Sequence, residues 1–193
     1  MQLDLGFQPI DTARLTLRRS RADDAEAISA YRSDPEVRRF QGWDRTDADG
    51  VRAEIEQMRE RAPGDPAGWV QLSVEERATG TLVGDVGLSP AEDEPGVIKL
   101  GYTMSPVFQG RGYATEAVAA LVTYAFNTLQ ADVVRAYANE ANVPSIRVAQ
   151  KAGLRLIERM ERSYEGETWF GVRYELHRQN FESTTPPGRT SRP

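Results

Sequence analysis

The sequence predicts an α+β fold in which a mixed, largely antiparallel central sheet carries helices on both faces. Two observations carry that prediction. Three segments between Val70 and Met104 alternate apolar with polar residues and are joined by short loops, which reads as an antiparallel meander. The segment after them changes period: Ala114, Ala117, Val118, Leu121, Val122, Ala125 and Leu129 form one broad helical face.

The elements follow in order. Residues 10–18 suit a first strand, with Leu15 and Leu17 alternating. Ser20 is the expected cap of a first helix, because Asp23, Asp24 and Glu26 follow near the positive end of its dipole; Asp34 and Pro35 break it. A second helix is expected from about Asp47 to Arg61, with Val51, Ile55, Met58 and Ala62 at spacings of four, three and four. Val70, Leu72 and Val74 open the meander, 78–80 turn it into 81–88, and 89–96 connect it over the surface to 97–104. Beyond the long helix come a strand at 133–137, a loop at 139–143, and a short helix with Pro144 in its first turn and Gly153 at its end. Segments 154–163 and 169–177 make a closing hairpin that turns near Glu165 and Gly166. Residues 183–193, rich in Pro, Ser and Thr, are expected to form a disordered tail.

Composition excludes whole classes of function. At 193 residues and 39% hydrophobic, the chain supports one domain with one sizeable core. Its 29 acidic and 24 basic residues leave a net charge of −5, which argues against a nucleic-acid-coating face. Cysteine is absent, so disulfides, thiolate zinc sites and covalent cysteine intermediates are ruled out. His177 is the single histidine, which removes His-pair metal sites, and no GxSxG elbow exists to build a serine triad around it. No run approaches the ~20 apolar residues of a bilayer span, and no basic-then-apolar leader opens the chain. A soluble, cytoplasmic protein without metal is expected.

The glycine-bearing loop Gln109–Thr115 lies between a strand and the N-terminus of the longest helix, where unpaired N–H groups and the helix dipole favour an anion. Gly110 and Gly112 admit close approach of a ligand; the plain alternative is a loop that needs glycine to turn. A Walker A loop is excluded, since GxxxxGK[ST] occurs nowhere. A dinucleotide fingerprint is nearly met, with Asp132 at a suitable distance, yet Thr115 stands where the third glycine belongs and a meander precedes the loop.

Residues 109–114 (QGRGYA) match the Q/R-x-x-G-x-G/A motif of the GNAT superfamily of N-acetyltransferases. Further matches run in order: 12–18 (TARLTLR), 34–37 (DPEV), 82–88 (LVGDVGL), 100–102 (LGY), 112–117 (GYATEA), 142–148 (NVPSIRV) and 151–154 (KAGL). Over residues 10–180 the chain resembles the RimJ/RimL type, which includes enzymes that acetylate ribosomal-protein N-termini. The resemblance implies a GNAT fold of about six to seven strands and about four helices, with the fourth and fifth strands (97–104 and 133–137) splayed apart. It also implies transfer of acetyl from acetyl-CoA to a primary amine by direct attack, with a peptide or protein N-terminus as preferred acceptor. A small amine such as an aminoglycoside, polyamine or amino acid is the alternative acceptor, and a non-catalytic acyl-CoA-binding module the alternative class. A homodimer is a family-level expectation.

The implied roles fall on particular residues. Backbone amides of Gln109, Gly110, Arg111, Gly112, Tyr113, Ala114 and Thr115 would wrap the pyrophosphate, and those of Tyr102, Thr103 and Met104 the pantetheine. The Met104 N–H would polarise the thioester carbonyl. Asn142 would bond the pantetheine, although its place also suits a helix cap; Ser145 would stabilise the leaving thiolate, although it also reads as a first-turn serine. Arg147 and Lys151, four apart, would meet the coenzyme's phosphates or form a solvated basic face. Trp43 and Trp69 fall where the family builds its acceptor cleft, or else serve the core. Two positions depart from the pattern: Ala149 stands where many members carry an acid tyrosine, and Lys99 where many carry a glutamate base. Asp85, Glu165 and Glu167 are the substitutes by position.

Overall fold

A computed structural model of the chain describes residues 1–43, 45–164 and 167–184. In chain order it contains β1 (Ile10–Asp11), β2 (Leu15–Arg19), α1 (Ala25–Arg32), α2 (Pro35–Arg38), α3 (Ala48–Met58), β3 (Val70–Glu76), β4 (Thr81–Pro90) and β5 (Val97–Met104). These are followed by α4 (Tyr113–Asn127), β6 (Val133–Asn139), α5 (Val143–Lys151), β7 (Arg155–Tyr164), β8 (Glu167–His177) and α6 (Arg178–Thr184). The strands form one sheet in the order β1-β2-β3-β4-β5-β6-β8-β7. Every neighbouring pair is antiparallel except β5 and β6. The mixed, largely antiparallel sheet is therefore as the sequence predicts.

Differences are local. The expected first strand is split, because Thr12 Oγ1 donates to Leu15 O and accepts the Leu15 N–H, folding residues 12–14 into a turn. That split supplies the eighth strand, the two-residue β1. Ser20 is not a cap: a 3-10 turn at Ala22–Asp24 precedes α1, and the Ser20 hydroxyl instead lies 2.9 Å from Ser73 Oγ, whose own proton goes to Asp24. Asp34 and Asp47 do cap, accepting from Glu36 N–H at 2.9 Å and Gly50 N–H at 2.8 Å, and so start α2 and α3. Short α2 and α6 raise the helix count to six. Ser183 and Thr184 close α6, while residues 185–193, Glu165 and Gly166 lie outside the described residues.

Helices cover both faces of the sheet. On one, α4 buries Ala117, Val118, Leu121 and Ala125 against Leu17, Leu72, Val86, Leu88 and Ile98. On the other, α1 and α3 pack through Ala25, Ile28, Tyr31, Val51 and Ile55. Strand alternation explains the partition: Val86 and Leu88 point toward α4, and Asp85, one residue before Val86, points to Tyr31 of α1. Beside Asp85, β2 buries a complete ion pair. Arg18 meets Asp24 twice, at 2.7 and 2.9 Å, and Asp24 also accepts from Ser73 and the Arg21 N–H. Burial opposes the Asp24 charge, but these donors outweigh it and hold the carboxyl below its ordinary range. Among the described residues no helix is long and apolar enough to cross a membrane.

Register places the gap in the sheet. The parallel pairing of β5 with β6 runs only from Val97–Val133 to Leu100–Ala136. Beyond Leu100 the two strands part, while β5 stays paired with β4 as far as Met104. The splay expected of strands 97–104 and 133–137 is therefore present.

Candidate active site

The direction of the β5 peptide groups follows from its ladder with β4. Ala91 N–H donates to Val97 O and Ser105 N–H to Val83 O, so odd-numbered residues of β5 exchange bonds with β4. Alternation then turns the N–H and C=O of Tyr102 and Met104 toward the side from which β6 has departed. Thr103 faces β4, so the expected pantetheine contact through its backbone is corrected: those groups serve the sheet. Its hydroxyl instead accepts from Gln41 at 3.2 Å. The Met104 carbonyl is taken by Gln109 Nε2 at 3.1 Å, leaving the Met104 N–H as the group open to the gap.

The glycine loop continues that wall. The ladder of α4 begins with Glu116 N–H donating to Gly112 O at 3.1 Å, so the amides of Tyr113, Ala114 and Thr115 lie ahead of it. Gly110 and Gly112 both adopt positive φ, at 76° and 81°, which turns successive amides to one side. A Cβ on Gly110 would meet nothing within 4 Å, so the space beside its backbone is open. Gln109 is corrected: its own N–H is spent on Pro106 O at 3.2 Å, and it acts as a brace between loop and strand.

An N-terminal clamp fixes this loop. Arg14 reaches across to donate to Arg111 O at 3.0 Å and to Glu116 Oε2 at 2.7 Å, and its guanidinium lies 4.7 Å over the Tyr113 ring. Tyr113 Oη donates to Glu76, which keeps the ring packed beneath the loop. Arg111 stacks on Phe108 at 5.3 Å, so its side chain belongs to the loop's outer surface.

These elements enclose a cleft of about 600 Å³. Tyr102, Met104, Gly110, Gly112, Ala114, Thr115, Asn142, Ser145, Arg147 and Lys151, separate in sequence, all line it. Asn142 caps α5, accepting from Ser145 N–H at 3.2 Å, and lines the cleft as well. Ser145 Oγ donates to the Tyr102 phenol at 3.0 Å, and that phenol donates to Ser145 O at 2.8 Å. Burial raises the Tyr102 phenol above its ordinary range, more than the bond from Ser145 lowers it, so the ring keeps its proton. The family pattern points to the Tyr102 backbone, and the phenol's contact with Ser145 emerges only from the fold.

A second cleft of about 540 Å³ meets the first at Gln41, Tyr102 and Thr103. Trp43 and Trp69, the residues named for the acceptor, line it together with Arg32, Glu54, Arg61 and Gln71. Trp69 is 40% exposed, so it is a surface of the cleft and not core. Asp85 is corrected: it is wholly buried and lines neither cleft. Tyr31 Oη and Gln71 Nε2 donate to it, and burial pushes its carboxyl up more than Arg32 and these two donors pull it down. Lys99, at the family's glutamate position, sits 5.9 Å from the Trp69 ring centre. Glu165 lies outside the described residues.

The Glu54–Arg32 ion pair in this cleft escaped the sequence reading. One signal existed: Glu54 is three residues after Val51 and four before Met58, on the flank of the inward face of α3.

Comparison with known proteins agrees with this architecture. A model described as an acetyltransferase (GNAT) domain matches residues 14–155. The uncharacterized N-acetyltransferase p20 of Bacillus licheniformis is 30% identical over 154 residues, covering 77% of this chain and 85% of p20. Mycobacterium smegmatis RimJ, solved with CoA-disulfide, superposes with a TM-score of 0.74 at 19% identity, over 86% of this chain and 82% of that one. RimL, a ribosomal L7/L12 α-N-protein acetyltransferase solved with coenzyme A, gives 0.76 at 14% identity over 90% and 99%. The chain belongs to the GNAT acetyltransferase family and is an acetyl-transferring enzyme.

Proposed function

We propose that the protein transfers an acetyl group from acetyl-CoA to a primary amine, with the α-amine of a peptide or protein N-terminus as preferred acceptor. The observation that carries this reading is the run of α4 amides ahead of the helix ladder, beside a gap in the sheet and flanked by Arg147 and Lys151. A helix N-terminus of this kind suits a diphosphate, and the open edge of β5 suits an amide-bearing arm. When bound, acetyl-CoA supplies an activated thioester carbonyl. The amides of Gly110 to Thr115 hold its diphosphate, and Tyr102 and Met104 its arm. The Met104 N–H meets the carbonyl oxygen, where a fixed donor is worth ~3–4 kcal/mol as negative charge gathers. Ser145 Oγ, which donates to the Tyr102 phenol in the free enzyme, would turn that proton to the departing sulfur.

The preference for an α-amine follows from proton affinity. With a pKa of ~7.7–8.0, such an amine is roughly 10–20% neutral at pH 7, against about one in 2,500 for a lysine side chain. That difference suits a site in which Lys99 and Ala149 stand where relatives carry a base and an acid. RimL's own description, an α-N-protein acetyltransferase, supports the same acceptor class.

Release of CoA thiol over an amine panel tests the reading. Turnover on Ala- or Ser-starting peptides is the expected result. Turnover confined to small amines would reassign the acceptor, and acetyl-CoA binding without turnover would make the protein a binding module.

A further inference from the structure

The acceptor cleft holds one carboxylate in a setting that nothing in the reading above uses. Among the described residues that line it, Glu54 is the sole acid. Its Oε2 is pinned at 2.6 Å by Arg32 Nη1, and the Arg32 side chain is only 4% exposed, so the pair cannot swing into solvent. Arg32 is itself seated, with its guanidinium 4.8 Å over the Trp43 ring. Glu54 remains one-third exposed to the cleft, and Oε1 has no partner among the described residues. Arg32 also faces the buried Asp85, whose carboxyl feels its charge, so one guanidinium serves two acids.

The walls have the same preference. Indole faces attract cations, and both tryptophans of the cleft already have one near: Arg32 at Trp43, and Lys99 at 5.9 Å from Trp69. Arg61, the remaining cation of the lining, is turned to the rim, where it donates to Trp69 O at 3.4 Å. A carboxylate held on one oxygen and open on the other, in a cleft that two indoles also line, is a seat for an ammonium group. The cleft runs from there to Tyr102 and Thr103, which it shares with the cofactor cleft.

We infer that Glu54 receives the ammonium form of the acceptor amine through Oε1, with Arg32 as its positioning residue and Trp43 and Trp69 as flanking walls. This rests on the acyl-transfer reading above for the identity of the ligand. Glu54 is then a specificity-determining residue: it selects charged primary amines over neutral nucleophiles of the same size, and it draws them in before the proton is lost.

Glu54→Gln is the test, because glutamine still accepts from Arg32 and keeps the pair's geometry. With whichever amine turns over, the acceptor KM should rise about tenfold, the scale of a hydrogen bond to a charged group, while kcat and the acetyl-CoA KM stay within about twofold. An unchanged acceptor KM overturns the assignment. If no amine turns over, the transfer reading fails separately, and calorimetry still decides. The tetrapeptide amide Ser-Ala-Ala-Ala should bind the wild-type protein about tenfold more tightly than its N-acetylated form, a preference that Glu54→Gln erases. Equal binding of the two peptides to the wild-type protein refutes the seat.

Discussion

On one side of Tyr102 and Thr103 lies a cleft whose working surface is largely backbone; on the other lies a cleft made from side chains of α1, α3, β3 and the loops beside them. The first takes its shape from two positive-φ glycines, a helix start and a strand that loses its neighbour. The second takes its shape from Arg32, Glu54, Gln71 and two indoles, drawn from segments up to about forty residues apart in the chain. Backbone recognition requires particular residues at particular spacings, so it leaves a motif. Side-chain recognition requires only that helices and strands deliver the right groups, so it leaves little trace until the fold is known.

The strongest challenge to this contrast is Gly112→Asp, which strains a positive-φ position at the start of α4 and sets a carboxylate beside the Arg14 that clamps the loop. Acetyl-CoA affinity measured by calorimetry should fall at least about 100-fold, or ~2.8 kcal/mol, with the circular dichroism unchanged. Retained affinity would move the nucleotide away from this loop. Next in size, Trp69→Ala should raise the acceptor KM about 30-fold, since a packed aromatic wall contributes ~2 kcal/mol, and leave the acetyl-CoA KM alone. A parallel rise in both constants would mean that the two clefts do not act separately. At their junction, Ser145→Ala should lower kcat about tenfold while acetyl-CoA binds as before, the cost of one charge-assisted bond. Equal turnover would return Ser145 to a purely structural place beside the Asn142 cap.

Two buried acids that line neither cleft bear on stability instead of on binding. Asp85→Asn should change stability at pH 7 by less than about 1 kcal/mol, because Tyr31 and Gln71 still find an amide partner. Its pH dependence is more telling. Asp85 keeps its proton above the ordinary carboxylate range, so in that window the folded protein binds more protons than the unfolded chain. Wild-type stability therefore falls as pH rises through the window, and the asparagine variant should lack that slope in urea titrations. Asp24 works in the opposite sense. Its lowered carboxyl gives stability above the ordinary range that is lost as pH falls through the lowered value. Asp24→Asn would strip Arg18 of its main partner while buried, a loss of ~3–5 kcal/mol in the unfolding free energy.

Legibility followed the same division as the clefts. Period alone located β5 at Val97–Met104 to the residue, and the turn at Gly80, whose φ is 70°. Strand and loop boundaries failed where a side chain intervened: the Thr12 hydroxyl cut the first strand, and Asp24 rather than Ser20 organised the entry to α1. Of the residues named for the coenzyme, all but Arg111 line the first cleft, and two of them, Gln109 and Thr103, have amides already committed to Pro106 and to β4. No pattern in the chain announces that commitment, because it depends on which parity of β5 pairs with β4. The acceptor cleft was half legible. Trp43 and Trp69 came from their positions in the family pattern, whereas Asp85 misled because burial, which a single acidic letter does not reveal, removes it from the surface.

The indole pair has a practical corollary. Of the chain's three tryptophans, Trp43 and Trp69 both border the second cleft and each has a cation near its ring. The molecule's ultraviolet emission is thus weighted toward one small region and sensitive to charge arriving there. An unlabelled sample carries its own optical gauge of occupancy, so candidate acceptors can be screened by eye of the fluorimeter before any assay of chemistry is built.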